Sequence, residues 1–103
     1  MYAANAYTIR MATHEDEREI RRVAELDSET RELTGRVLIG EMNGTPVAAY
    51  AVDEDRVVAD PFKRTALIVA HLRRRAAAMR AVDAEPALRR RIRAGLRVRA
   101  VEA

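Results

Sequence analysis

Two runs of β-prone residues separated by Asn43-Gly44 place the strongest constraint on how this chain folds. The runs cover residues 37–42 and 45–52 and are mainly aliphatic. Asn and Gly accept the positive φ angles of a two-residue hairpin turn, so the pattern predicts an antiparallel hairpin centred on this pair. Pro46 lacks an amide hydrogen and is therefore expected at the beginning or the edge of its strand.

Shorter strand-like runs flank the hairpin on both sides. Residues 7–11 alternate apolar and polar side chains, as a strand with one buried face does. After the hairpin, residues 53–55 are all acidic and supply a turn, and residues 56–59 are long enough for one more short strand. The chain is therefore predicted to form an antiparallel β-meander of three to four strands.

A first helix is predicted between the first strand and the hairpin. Thr13 is a suitable N-cap, and the acidic residues 15–17 favour the positive end of the helix dipole. The apolar residues of this segment fall on one side of the helix: Ile20, Val23, Ala24 and Leu26. The helix is expected to end near Asp27, and the polar residues 28–35 fit either a loop or one further helical turn.

A second helix is predicted after the meander. Asp60-Pro61 is suited to its first turn because Asp caps free amides and Pro is tolerated at the first helical position, and Thr65 is an alternative start. Its apolar residues again share one side: Ile68, Val69, Leu72, Ala76 and Met79. The helix is expected to reach about Arg80.

The segment after Arg80 is predicted to add a third helix over residues 83–94, closed by Gly95. Residues 96–101 then alternate as an added strand would. We therefore expect an α+β fold in which residues 1–80 form one domain with the order β-α-β-β-β-α. Residues 81–103 are expected to form a basic extension of this domain.

The absence of cysteine and the scarcity of histidine exclude several kinds of chemistry. No disulfide, thiolate metal site or cysteine nucleophile can form, and His14 and His71 are the only imidazoles. No apolar run approaches the roughly 20 residues of a membrane span, and the first seven residues lack the features of a signal peptide. With 103 residues, the chain is expected to be a single cytoplasmic domain that does not bind membranes.

The charge is divided unevenly along the chain. Residues 1–60 carry seven Arg against thirteen Asp and Glu, a net charge of −6, whereas residues 61–103 carry twelve Lys and Arg against three acids, a net charge of +9. This asymmetry indicates either an electrostatic contact between the two regions of different molecules or a basic surface for a polyanion. Eighteen of the nineteen basic residues are Arg, a bias that GC-rich coding also produces.

The order strand, helix, meander, helix resembles the amino-terminal half of the GNAT-type N-acetyltransferase superfamily. Residues 7–13, Tyr-Thr-Ile-Arg-Met-Ala-Thr, followed by Asp16, are similar to the usual opening of these domains, and residues 37–49 resemble their hairpin. Residues 59–65, Ala-Asp-Pro-Phe-Lys-Arg-Thr, resemble small truncated GNAT-like proteins of GC-rich bacteria that stop after the following helix. The resemblance implies half of an acetyltransferase fold.

The acetyl-CoA site of that superfamily is not matched in this chain. Acetyltransferases hold the pyrophosphate with a Gln/Arg-x-x-Gly-x-Gly/Ala loop, whose small residues let free helix amides meet the phosphates. At the corresponding junction this sequence has Asp60, Pro61 and Phe62, which add a negative charge, remove an amide and add bulk. We therefore expect no cofactor, and acetyl-CoA only if the chain is an enzyme with an altered site.

Glu41 and Tyr50 are the candidate catalytic residues. They are the residues on predicted central strands that have the chemistry of a general base and a general acid toward an amine. The simpler interpretation is that Glu41 lies on the open face of the hairpin and that Tyr50 is a core aromatic residue with its hydroxyl at the rim. The sequence therefore favours a protein that is not an enzyme.

Three other groups of residues also have simpler explanations than a binding site. Residues 14–17, His-Glu-Asp-Glu, contain metal-ligand types, but the helix dipole accounts for the acids, and we expect no metal. Asn43-Gly44-Thr45 satisfies a glycosylation pattern but is expected to be the hairpin turn. Lys63 and Arg64 are candidate anion ligands beside free helix amides, and a solvated first turn explains them more simply.

Three functions stay open on the sequence. The first is a non-catalytic, truncated GNAT-like module that acts through protein contacts with a second copy or another partner. The second is an acyl-CoA-dependent N-acetyltransferase with a degenerate or shared site. The third is an accessory protein that binds nucleic acid nonspecifically through its Arg-rich C-terminal region.

The expectation of a homodimer rests on the predicted sheet. Both helices are expected to cover one face of the sheet, which leaves an edge and neighbouring apolar side chains exposed. Residues 84–101, from the same chain or from a second copy, are the candidates to cover them. Such an exchange would bring the basic region of one chain to the acidic region of another.

Overall fold

Four antiparallel strands form one sheet in the order β1-β2-β3-β4, as the meander prediction requires. The computed structural model describes the backbone of residues 6–102 and the side chains of residues 6–85. The strands are β1 Tyr7–Met11, β2 Val37–Met42, β3 Thr45–Ala51 and β4 Arg56–Ala59. Together with two helices they make an α+β fold, which confirms the predicted fold class.

The Asn43-Gly44 turn has the predicted conformation. The φ angles are 52° at Asn43 and 80° at Gly44, both in the left-handed region that a tight two-residue turn uses. Met42 and Thr45 pair directly on either side of the turn. The hairpin prediction is therefore confirmed, with a shift in register between Gly40 and Glu41 close to Pro46.

The first helix begins where the sequence predicts. A short 3-10 turn, His14–Asp16, leads into α1, Glu17–Leu26, and Asp27 follows its end. The amide of Thr13 donates to Oδ2 of Asp16 over 2.7 Å, and the Thr13 hydroxyl lies 3.2 Å from the same oxygen. The Asp16 carboxylate therefore supports the start of the helix as well as the interactions described below. Residues 28–36 connect α1 to β2 without regular structure.

The two helices pack on opposite faces of the sheet. The first cluster, on the α1 side, contains Val23, Ala24, Val37, Ala49 and Val58. The second cluster, on the α2 side, includes Leu38, Ala48, Tyr50, Ile68, Leu72 and Ala76. Neighbouring strand residues point to opposite faces, so β2, β3 and β4 each contribute to both clusters. The expectation that both helices cover one face was wrong, because periodicity identifies the apolar side of a helix but not the sheet face that it meets.

Helix α2 begins at Ala66, with the carbonyl of Thr65 accepting from the amide of Val69 over 2.8 Å. The alternative start at Thr65 is therefore confirmed, and Asp60-Pro61 forms a turn instead. The Asp60 carboxylate accepts from the amide of Phe62 over 2.9 Å, and its carbonyl accepts from the amide of Lys63 over 3.3 Å. The Asp60 carboxylate therefore binds an amide of this turn and does not cap α2, which begins later, at Ala66.

Helix α2 runs without interruption from Ala66 to Glu102, so the predicted stop near Arg80, the separate third helix and the strand at residues 96–101 were wrong. A strand needs a neighbour for its backbone hydrogen bonds, whereas a helix satisfies them within its own segment. Most residues of this segment are Ala, Arg and Leu, which favour helix, and this preference outweighs Pro86 and Gly95. The alternation of residues 96–101 did not outweigh it either.

The long α2 gives the chain an elongated shape. Its 37 residues span about 55 Å at 1.5 Å per residue, and the principal extents of the molecule are 63 × 34 × 21 Å. Within residues 6–102, neither helix combines the length and the apolar character that crossing a bilayer requires.

Candidate functional site

A cluster of three charged side chains lies where β1, β2 and the start of α1 meet. Nη1 and Nη2 of Arg10 each lie 2.8 Å from an oxygen of the Asp16 carboxylate, in a bidentate pair. Nε and Nη2 of Arg10 also donate to the two oxygens of Glu41, over 3.1 and 3.3 Å. One guanidinium therefore neutralises two largely buried carboxylates and ties the edge strand to the helix.

The electrostatics of this cluster favour its charged form. The hydrogen bonds from Arg10 hold the pKa of the Asp16 carboxyl well below its ordinary value, and the amide of Thr13 contributes in the same direction. The same partners raise the pKa of Arg10 above its ordinary range, Asp16 being the larger contributor and Glu41 the second. Both oxygens of the Glu41 carboxylate are therefore engaged by Arg10.

Tyr50, the second catalytic candidate, lies on the opposite face of the sheet from Glu41. Its side chain is 1% exposed and packs in the cluster beneath α2. Its hydroxyl donates to the carboxylate of Asp55, and the guanidinium of Arg73 lies 5.8 Å from the ring centroid. Burial and the Asp55 carboxylate both raise the pKa of the phenol. The structure therefore does not bring Glu41 and Tyr50 together as an acid and base pair.

Lys63 and Arg64 lie in the turn before α2, beside an open groove that also contains Asp27, Asp60 and Arg73. The carboxylate of Asp27 accepts from the amide of Ala59 over 3.1 Å, and Asp60 is 5% exposed. Two carboxylates therefore offset the basic side chains of this groove. This balance weakens the attraction for an anion that Lys63 and Arg64 alone would provide.

Residues 14–17 form the turn that starts α1. Nδ1 of His14 lies 3.6 Å from the carboxylate of Glu17, and the Asp16 carboxylate is directed to Arg10. In the part of the chain that the structure describes, no three potential metal ligands are grouped so that they could hold an ion. Asn43-Gly44-Thr45 is the hairpin turn described above.

A groove that the sequence did not predict lies between α1 and the connection that follows it. Its floor is apolar and consists of Ile20, Ala24 and Leu33, and its volume is about 670 Å³. Six charged residues line it: Glu17, Glu25, Glu29, Glu32, Arg21 and Arg31. We call it the α1 groove. Four acids against two bases make it acidic, and the acidic composition of residues 1–60 is the one sequence signal that pointed toward it.

The sequence also did not predict that Arg10 pairs with Glu41 and with Asp16. The alternation of polar and apolar residues along β1 and β2 contains a signal for the contact between Arg10 and Glu41. These two polar residues share a sheet face once the strands pair. Asp16, three residues after Thr13, has the spacing of a capping box, which points to a partner at the helix start.

Comparison of the chain with protein-family models, with curated proteins and with solved structures finds no match in any of the three. The resemblance to the GNAT-type superfamily therefore stays a prediction from the sequence.

Proposed function

We propose that this chain is a non-catalytic, GNAT-like module that acts through protein contacts, and that its partner is a second copy of itself. The observation that carries the proposal is the length of α2. The described contacts of α2 with the rest of the domain lie between Ile68 and the ion pair of Asp83 with Arg36. The helix itself continues to Glu102. Residues 84–102 therefore extend the helix by roughly 28 Å beyond Asp83.

A helix of this length gains most of its stability in water from packing an apolar side against something else. Leu88, Ile92 and Leu96 recur at every fourth position of residues 84–102, so they share one side of the helix. At about 100° per residue, that side is nearly opposite to the one on which Ile68 and Leu72 meet the sheet. We therefore infer that a second chain, and not the domain's own sheet, supplies the contact for these apolar positions.

The arrangement of the candidate catalytic residues supports a non-catalytic role. Glu41 and Tyr50 lie on opposite faces of the sheet, and each is engaged by another charged residue, Arg10 or Asp55. An acetyltransferase also needs free amides at a helix start for the cofactor phosphates. In this chain the turn before α2 contains a buried Asp60 and a proline at that place.

The experiment is light scattering of the full chain at several micromolar concentrations. We expect a mass of twice the 11.6 kDa of one chain. Ile92→Glu should convert the protein to a monomer, because it places a charge within the apolar positions of the C-terminal half of α2. Ala94→Glu is the matched control, since it adds the same charge two residues away on nearly the opposite side of the helix, and it should remain dimeric.

Three outcomes would contradict the proposal or its physical basis. A wild-type chain that stays monomeric at all concentrations would reject the homodimer. A monomer that retains duplex DNA at low salt and releases it steeply as salt rises would favour the nucleic-acid-binding alternative instead. Equal effects of Ile92→Glu and Ala94→Glu would show that charge, and not the apolar side of the helix, controls assembly.

A further inference from the structure

The α1 groove has the dimensions and the chemistry of a receptor for a short helix. Its lining residues on α1 run from Glu17 to Glu25 and span about 12 Å, and the apolar ones among them, Ile20 and Ala24, lie one helical turn apart. The positions from Leu88 to Leu96 cover about 12 Å of helix, a comparable length. An apolar stripe of this kind and an apolar floor bounded by charged side chains match the usual groove-and-helix mode of recognition.

The acids of the groove are incompletely neutralised within the chain. Among the described residues, the carboxylates of Glu25 and Glu32 have no hydrogen-bonding or ionic partner. Glu29 accepts a hydrogen bond from the amide of Arg31 over 3.1 Å and lies 3.7 Å from Arg56, whereas Glu17 makes only a long, exposed contact of 3.6 Å with His14. With four carboxylates against Arg21 and Arg31, the groove presents a net negative charge around its apolar residues.

The C-terminal half of α2 has the complementary composition. Arg89 follows Leu88 and Arg91 precedes Ile92, so these two arginines occupy positions on either side of the apolar stripe. Four more arginines lie nearby: Arg90, Arg93, Arg97 and Arg99. The helix therefore combines apolar positions with flanking positive charge, the reverse of the charge around the groove.

The chain cannot fill its own groove with this segment while α2 stays a continuous helix. The groove lies beside α1, and α2 packs on the other face of the sheet. No α2 residue within the described range lines the groove. The segment that occupies it must therefore come from another molecule.

We infer that the α1 groove of one chain receives residues 84–102 of a second chain, with Leu88, Ile92 and Leu96 against the apolar floor and Arg89 and Arg91 facing Glu25 and Glu32. A two-fold axis makes the exchange reciprocal, so that each chain provides one helix and one groove. This inference rests on the proposed homodimer and assigns its interface.

The test is a charge-exchange cycle measured as the dimer dissociation constant by sedimentation. The variant with Glu25→Arg and Glu32→Arg should weaken the dimer about tenfold or more, because like charges then face each other. The variant with Arg89→Glu and Arg91→Glu should weaken it similarly, and the chain that combines all four changes should recover most of the affinity. Glu15→Arg, an exposed acid outside the groove, is the control and should leave the constant unchanged.

The outcomes separate this inference from the proposed function. A monomeric wild type would overturn both. A dimer that Ile92→Glu disrupts but the groove variant leaves intact would overturn the inference alone, since the helices would then pair with each other or with another surface. Weakening by both charge variants without recovery in the combined chain would also overturn it. Circular dichroism of each variant verifies that the fold is retained.

Discussion

Gly40 lies in β2 at the point where α2 crosses closest to the sheet. A Cβ atom at this position would overlap with Cγ2 of Ile68 and would lie 3.7 Å from Cδ1 of Leu72. Both neighbours are side chains of the buried face of α2, at 2% and 0% exposure. Gly40→Ala therefore requires the helix or its side chains to move away from the strand.

The expected loss follows from two opposing effects. An added methyl group in a packed core costs about 1–3 kcal/mol when its neighbours must shift. Ala in a strand gains roughly 0.5–1 kcal/mol over Gly because less backbone entropy is lost on folding. The net decrease in the free energy of unfolding should be about 1–2 kcal/mol, which for a domain of this size lowers the midpoint of thermal unfolding by roughly 4–15 °C.

The measurement is urea unfolding followed by circular dichroism, with all variants at one protein concentration because assembly contributes to stability. Gly40→Ala is measured alone and in the background of Ile68→Ala, which removes the overlapping methyl group. The cost of the glycine substitution should be smaller in that background, since the two changes share one contact. Gly44→Ala is the comparison, because no atom lies within 4 Å of its Cβ position and its φ of 80° is unfavourable to Ala regardless of residue 68.

Two results would refute this reasoning. If Gly40→Ala leaves stability unchanged, the helix does not approach the strand as described. If its cost is the same with and without Ile68→Ala, the loss comes from the strand backbone and not from the contact with α2.

Two further predictions concern the charged cluster and the cofactor. Because the folded state lowers the pKa of Asp16 below its ordinary 3.8, the pair with Arg10 stabilises the fold above about pH 4 and this contribution is lost as the pH falls. The difference in unfolding free energy between wild type and Asp16→Asn should therefore shrink from pH 6 to pH 3, and a constant difference would contradict the assignment. Calorimetry should detect no binding of acetyl-CoA tighter than about 100 μM, or roughly 5.5 kcal/mol. Tighter binding would contradict the reading of residues 60–62.

The elements that the sequence predicted well are those with local signals. Asn43-Gly44 predicts the turn because only a few residues tolerate the positive φ values that it needs. Thr13 and the acids after it predict the start of α1 because free amides and the helix dipole act within one turn. Strand pairing follows from these points, since a short meander has only one simple order.

The site geometry could not be predicted in the same way. Glu41 and Tyr50 are nine residues apart across a hairpin. A one-residue change in the register of the two strands moves the side chains of one strand to the other face, and therefore changes whether these two residues share a face. The bulge between Gly40 and Glu41 therefore bears directly on this pair. Residues 28–33 carry no periodicity, so nothing in the sequence predicted that they would form one wall of the α1 groove.

By itself the sequence determined the α+β class, the hairpin and the start of α1, and it offered two starts for α2, because these features depend on residues within a few positions of each other. Tertiary structure decided that the helices pack on opposite faces of the sheet and that Arg10 joins Asp16 to Glu41. These outcomes depend on which distant surfaces meet. Local propensity gives the preferred conformations of a segment, but the contacts between distant segments in the folded chain determine which arrangement forms.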